Sequence, residues 1–290
     1  MLLKKREFLG LATAFGSTFA IGNASAQSKP LLRIGHSPWT DSEFVARLSA
    51  RLIQDRLGVP VELVQTDNAL LFQGVAQGDL DIMMMCWLPT THADYWQRIG
   101  GKAEKYGPFY KGRNGWVVPA YVPESELASV EDLLKPEVRG KLGGIIQGIE
   151  PGAGLTRISQ ETVKAYGLDD YTLREASELA MLSMMDRAIR QEKWAVATGW
   201  SPHWMFGKYD LRYLADPKGT LGGEEDSLAL GRLGLGKDRP EVAAFLSRMQ
   251  IPLKGLEKGM LVAQEKDFDA AVGQFIEEHG EAVESWLTAA

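Results

Sequence analysis

The chain reads as an α/β protein whose two lobes face each other across a cleft, and three observations predict it. Segments of strand and helix character alternate through one series and then begin again in a second. The 290 residues, 45% hydrophobic and 24% charged, are globular in composition and numerous enough for two medium-sized domains. Tryptophan and glycine gather just after the strands, where open α/β sheets collect their ligands.

Residues 31–35 are strand-like, and 43–57 place Phe44, Leu48, Leu52 and Leu57 near helical spacing. Residues 59–64 alternate as a strand, 68–77 read as a helix capped by Asn68, and 81–86 (DIMMMC) form the unbroken apolar run of a buried strand. This is the βαβαβ pattern of a parallel sheet. The second series follows 115–122: a helix start at Ser129-Val130-Glu131-Asp132, a strand at 144–149, a helix at 155–166, a strand at 171–176, a helix at 178–191 and a strand at 194–198. From about Glu225 one strand-like run precedes helices at 239–249 and 268–287. The expected division is 27–120 for the first part of lobe 1, 121–220 for lobe 2 and 221–290 for the return to lobe 1.

Residues 1–26 have the form of a secretory signal: Lys4, Lys5 and Arg6, then an apolar stretch, then Ala24-Ser25-Ala26 as a cleavage site. Lys5-Arg6-Glu7-Phe8-Leu9 also loosely resembles a twin-arginine signal, so the export route stays open. A soluble periplasmic protein starting at Gln27 is expected. Cys86 is the only cysteine and, set in an apolar strand, reads as a small core residue. The net charge of −6 falls to about −8 once the signal, with its net +2, is removed. Such a surface is unsuited to nucleic acid.

The stretches after the strands are SPWTDSE with Trp39, WLPTTH with Trp87 and His92, GIEPGAG, and TGWSPHW with Trp200 and His203. Converging indole faces suit a quaternary ammonium, which has no N–H to donate and is attracted by ring faces at ~0.5 to 2 kcal/mol each. A sugar stacking on tryptophan is the nearest competitor. GIEPGAG leads into a helix whose free N–H groups can receive an anion, and with His92 it could fix a carboxylate. A cation cage with a carboxylate clamp describes a betaine.

At WLPTTH, GWVVPAYV, GIEPGAG and TGWSPHWMFGKYDLRYLADPKGT the chain resembles the glycine betaine-binding proteins of ABC importers, a family that also covers choline and proline betaine binders. The resemblance implies a type II periplasmic-binding-protein fold, each lobe a mixed, mostly parallel sheet flanked by helices, closing over its ligand. It carries the ammonium cage onto Trp39, Trp87 and Trp200, and the carboxylate contacts onto His92 and the backbone N–H groups of Gly148 and Ile149. It implies as partners a small quaternary ammonium solute and a membrane permease with its ATPase, the binding protein being a monomer without a cofactor. Glycine betaine is favoured; choline, proline betaine and carnitine are the alternatives.

Trp116 lies near a position where choline binders use a cage tyrosine, and is either a fourth wall or packing in the crossover. Asp41 and Glu43 either cap the helix after Trp39 or help position the cage. No motif of a hydrolase elbow, zinc protease or phosphate loop is present, and His36, His92, His203 and His279 are too dispersed to suggest a metal. The enzyme alternative is a periplasmic choline ester hydrolase with Ser201, beside Trp200, as its nucleophile.

Overall fold

The computed structural model describes residues 30–288, so the export signal read in residues 1–26 lies outside the described residues. Strand β1 (Leu32–His36), α1 (Thr40–Leu57), β2 (Val61–Gln65), α2 (Asn68–Gln77) and β3 (Ile82–Leu88) form the expected βαβαβ unit, with β1 parallel to both β2 and β3. Helix α1 buries Phe44, Leu48 and Leu52 and stops at Gly58, whose left-handed backbone (φ 61°) lets its N–H return to the Ile53 carbonyl. The expected cap of α2 moves by one residue, to Asp67.

β3 is buried up to its last residue, as a strand covered on both faces must be. A bulge interrupts it: Met85 has φ 70°, and the pairing register shifts between Met83 and Cys86. A left-handed non-glycine residue costs on the order of 1–2 kcal/mol. The hydroxyls of Tyr110 and Ser227 donate to the Met85 sulfur at 3.4 and 3.3 Å and hold it there. The bulge resets the alternation of side chains just ahead of Trp87.

After α3 (Ala93–Ile99) comes β4 (Ala103–Pro119), 17 residues long. A 3₁₀ turn at Val130–Leu134, closed by a reciprocal Ser129/Asp132 capping box, occupies the place where the sequence suggests a helix start. The second unit is α4 (Pro136–Leu142), β5 (Ile145–Gln147), α5 (Gly154–Tyr166), β6 (Thr172–Arg174), α6 (Glu178–Arg190), β7 (Ala197–Ser201), α7 (Met205–Lys208) and β8 (Leu211–Tyr213). Strand β9 (Glu224–Arg232) returns to the first lobe, followed by α8 (Leu235–Asp238), α9 (Pro240–Arg248), α10 (Leu253–Glu265), α11 (Phe268–Glu278) and α12 (Gly280–Leu287).

The strands lie in the order β2-β1-β3-β9-β4-β7-β5-β6, with β8 attached to β4. Within each lobe the β-α-β pairings are parallel; every antiparallel pairing involves β4 or β9. β4 pairs with β9 through Arg113 and from there with β7 and β8, so it carries the chain from one lobe to the other. One hydrophobic cluster, with Trp116, Val118, Ile146 and Leu168, fills the second lobe. Two features depart from the sequence reading in a physically simple way. β4 contains Gly107-Pro108, Gly112 and Gly115 among charged residues and has no clean strand period. The run 268–287 is split because His279 ends α11 and starts α12.

Candidate functional site

Three strand ends and one helix start meet in the cleft. Trp39 leaves β1 as the residue before α1, Trp87 stands next to last in β3, and Trp200 lies in β7. With Asp41, Thr91, His92, Asn114, Ile149 and Leu155 they line a small cavity. Trp39 and Trp200 come from different lobes, with ring centroids 6.4 Å apart and planes tilted by 56°. Trp39 is parallel to the His92 imidazole within 2° at 6.4 Å, and Trp87 stands edge-on to Tyr110 at 6.2 Å.

The walls are held from behind. A side chain at Gly112 would begin 2.3 Å from the Trp87 ring, so the indole lies directly on the β4 backbone. The Trp39 indole N–H donates to the Glu150 carboxylate. His203 stands edge-on to Trp200 at 4.6 Å. The Trp200 indole N–H and Asp41 Oδ1 have no hydrogen-bond partner, although both are buried and both residues line the cavity. Orphaned polar atoms of this kind call for a polar guest.

Asp41 sits in the first turn of α1, and its carboxyl is pushed up to about 7 by burial, with the nearby Glu178 adding to the rise and His203 opposing it. His92 is held down to about 3, chiefly by burial and secondarily by the Arg157 guanidinium. Its Nδ1 accepts the Trp87 N–H at 2.8 Å, so the neutral ring carries its proton on Nε2 and can only donate there. The turn that presents it is tied to a buried carboxylate: Glu225 accepts from Thr90 N–H (2.9 Å), Thr91 N–H (2.8 Å) and the Thr91 hydroxyl (2.5 Å). Asn114 donates to the same Thr91 oxygen at 2.6 Å.

The two lobes touch closely beside this turn. A Cβ at Gly154, the first residue of α5, would lie 2.3 Å from the Thr91 carbonyl and 2.8 Å from the His92 ring. Arg157, one turn on, donates to the Thr90 and Thr91 carbonyls at 3.1 and 3.4 Å. The positive end of α5 therefore lies against His92.

Of the residues singled out in the sequence, Trp39, Trp87, Trp200, His92, Ile149 and Asp41 are brought together. Gly148 is not among the lining residues: its N–H is donated to the Arg174 carbonyl at 2.9 Å and belongs to the sheet. Trp116 is fully buried in the second-lobe core, its indole donating to Ser159 at 3.0 Å, and so packs rather than lines the cavity. Glu43 pairs with Arg47 at 2.8 Å on the outside of α1. The Ser201 hydroxyl is bonded to Tyr213 at 2.8 Å, while both His203 nitrogens are engaged with Glu178 and Met205, which leaves the serine without a base. Thr91, Asn114, Leu155 and Glu225 were not foreseen. Asn114 is on β4, whose pattern is illegible as a strand, and Glu225 looks like any charged residue until its burial is seen. Among the described residues no group of acidic, histidine and cysteine side chains could hold a metal, and no helix is long and apolar enough to cross a membrane.

Residues 30–278 match the family described as the substrate-binding domain of ABC-type glycine betaine transport systems. A glycine betaine/carnitine transport binding protein of Listeria monocytogenes is 32% identical over 155 residues, 52% of each chain, so the chain spans about half the length of that relative. The lactococcal OpuAC structure, closed and complexed with glycine betaine, is 37% identical with a TM-score of 0.82, covering 90% of this chain and all of that one. The glycine betaine/L-proline-binding protein ProX from Borrelia burgdorferi is 27% identical, also at 0.82, over 89% and 97% of the two chains. A choline-binding protein in complex with choline shares the fold at 22% identity, with a TM-score of 0.79 over 89% and 91%.

Proposed function

The chain belongs to the family of substrate-binding domains of ABC-type glycine betaine transport systems, and from that premise we propose that it captures glycine betaine between its lobes and hands it to a membrane permease. It is a transport binding protein and not an enzyme. The trimethylammonium group sits among Trp39, Trp87 and Trp200, with the Asp41 carboxylate supplying a negative charge to the same chamber. The ligand carboxylate takes the His92 Nε2–H and the Ile149 N–H, at the positive end of α5. Gly148 has no part in this arrangement, since its N–H is already committed.

The observation that carries the reading is the lining of the cavity: three indoles from two lobes, a buried carboxylate oxygen without a partner, and a neutral imidazole donor. The glycine betaine complex of the lactococcal protein supports the choice of solute. The protein acts as an exported periplasmic monomer, with residues 1–26 as its signal. The lobes divide at about residues 113 and 224, where β4 and β9 cross between them; the first boundary falls before the expected 120 because Trp116 and Val118 already pack in the second-lobe core.

Titration calorimetry of residues 27–290 with glycine betaine and choline in parallel tests the assignment. One-to-one binding of glycine betaine, with choline much weaker and with Trp87→Ala and Trp200→Ala abolishing the signal, is expected. Preference for choline would leave the cage but remove the clamp, and binding of neither solute would contradict the reading.

A further inference from the structure

Behind the cage lies a second buried carboxylate that does not line the cavity. Glu178, the first residue of α6 in the second lobe, accepts the Thr40 N–H at 3.0 Å and the Thr40 hydroxyl at 2.7 Å. Thr40 is the first residue of α1 in the first lobe, directly after Trp39. The cap position of α1 is thus filled by an indole that cannot cap, and the missing acceptor is supplied from across the cleft. The same Glu178 oxygen that takes the hydroxyl also accepts His203 Nε2–H at 3.0 Å, and His203 is the residue standing edge-on to Trp200. The Trp204 indole donates to the Thr40 hydroxyl at 3.4 Å and completes the cluster.

We propose that Glu178 is a positioning residue of the binding site: its carboxylate caps α1 across the cleft and so joins the Trp39 wall of one lobe to the Trp200 wall of the other. This rests on the reading of the cleft as the solute site. Among the described residues no Lys or Arg pairs with Glu178, so its charge is satisfied by hydrogen bonds, two of which cross from one lobe to the other. Opening exposes Glu178 and the N-terminus of α1 to water, which replaces those bonds. The contact therefore favours the closed, ligand-holding arrangement without adding to the stability of the open protein. A charge-assisted bond to a helix N-terminus is also direction-specific, which sets where Trp39 stands when the cage forms.

The test is Glu178→Gln, nearly equal in volume and uncharged, with Thr40→Val as the variant from the opposite lobe. Dissociation constants and dissociation rates for glycine betaine are measured by stopped-flow tryptophan fluorescence. Closure is read from the distance between labels at Leu70→Cys and Leu134→Cys, exposed positions in the first and second lobes; the native Cys86 is buried. Glu178→Gln is expected to weaken binding at least about tenfold through faster dissociation. The ligand-free melting temperature should stay unchanged and the closed population should fall. In the double variant the losses should be smaller than the sum of the single ones. Wild-type affinity and closed population in Glu178→Gln, strictly additive losses, or a matching drop in ligand-free melting temperature would each overturn the proposal. Failure of the wild type to bind any betaine would sink the functional reading, and the latch would then stand or fall on the closed population of the ligand-free protein alone.

Discussion

Asp41 keeps one carboxylate oxygen unbonded in a wall otherwise made of indoles, and its carboxyl titrates at about 7 because burial opposes its charge. The unfolded chain loses this proton near 3.8, so between that pH and about 7 the folded ligand-free protein holds more protons. Its stability should therefore fall as pH rises through this window and level off above it. A cation placed against the carboxylate favours the ionised form, so binding below about pH 7 should release a proton. Affinity for a quaternary ammonium is expected to rise from pH 5.5 to 8, by up to about tenfold per pH unit at the acid end, and Asp41→Asn should flatten the profile. Equal pH slopes in the variant and the wild type, measured calorimetrically, would contradict this. His92 is the opposite case, lowered to about 3 from 6.5, and its remaining donor is Nε2–H. His92→Ala should weaken glycine betaine by about tenfold or more, the loss expected for a charge-assisted bond, and choline by much less. Matching losses for the two solutes would refute the clamp. The tryptophans and His92 were legible in the sequence because they follow strand ends. The backbone role given to Gly148 was not sound, since whether an N–H is free depends on the strand beside it.

At the scale of elements, the β-α-β units of both lobes could be read from apolar period and turn residues, while β4 could not. Its glycines and charges belong to its position: Gly112 admits the Trp87 ring, Asn114 braces Thr91, and the strand changes partners at Arg113. Local propensity gives way there to contacts made at a distance. Helix α5 makes a sharper prediction. Alanine suits the start of a helix better than glycine, yet at Gly154 its methyl would collide with the Thr91 carbonyl of the other lobe at 2.3 Å. Gly154→Ala should leave the ligand-free melting temperature unchanged or raised, and weaken the solute by about tenfold or more, or about 1.4 kcal/mol. A variant that melts lower yet binds normally would show that Gly154 serves α5 itself and not closure.

The whole molecule is a sheet whose two halves are joined through β4 and β9 and whose candidate site lies where the halves meet. A solute touching both lobes shifts the protein toward the closed arrangement by its preference for that state. Small-angle scattering should accordingly show a smaller radius of gyration with saturating glycine betaine, and no compaction in Trp200→Ala, which removes the second-lobe wall. Compaction of that variant to the wild-type value would mean that closure does not depend on the cage. Two lobes and a cleft followed from the repeated α/β series, but the closeness of the lobes at Thr91 and Gly154 is a matter of tertiary contact.

On the proposed function the chamber recognises positive charge as well as shape. Titration of glycine betaine beside 3,3-dimethylbutanoate, which keeps the carboxylate and replaces the ammonium nitrogen with carbon, separates the two contributions. Three indole faces at ~0.5 to 2 kcal/mol each predict that the uncharged isostere binds on the order of tenfold to ten-thousandfold more weakly. Equal affinity for the two would mean that the cavity selects a tert-butyl-sized group and not a cation.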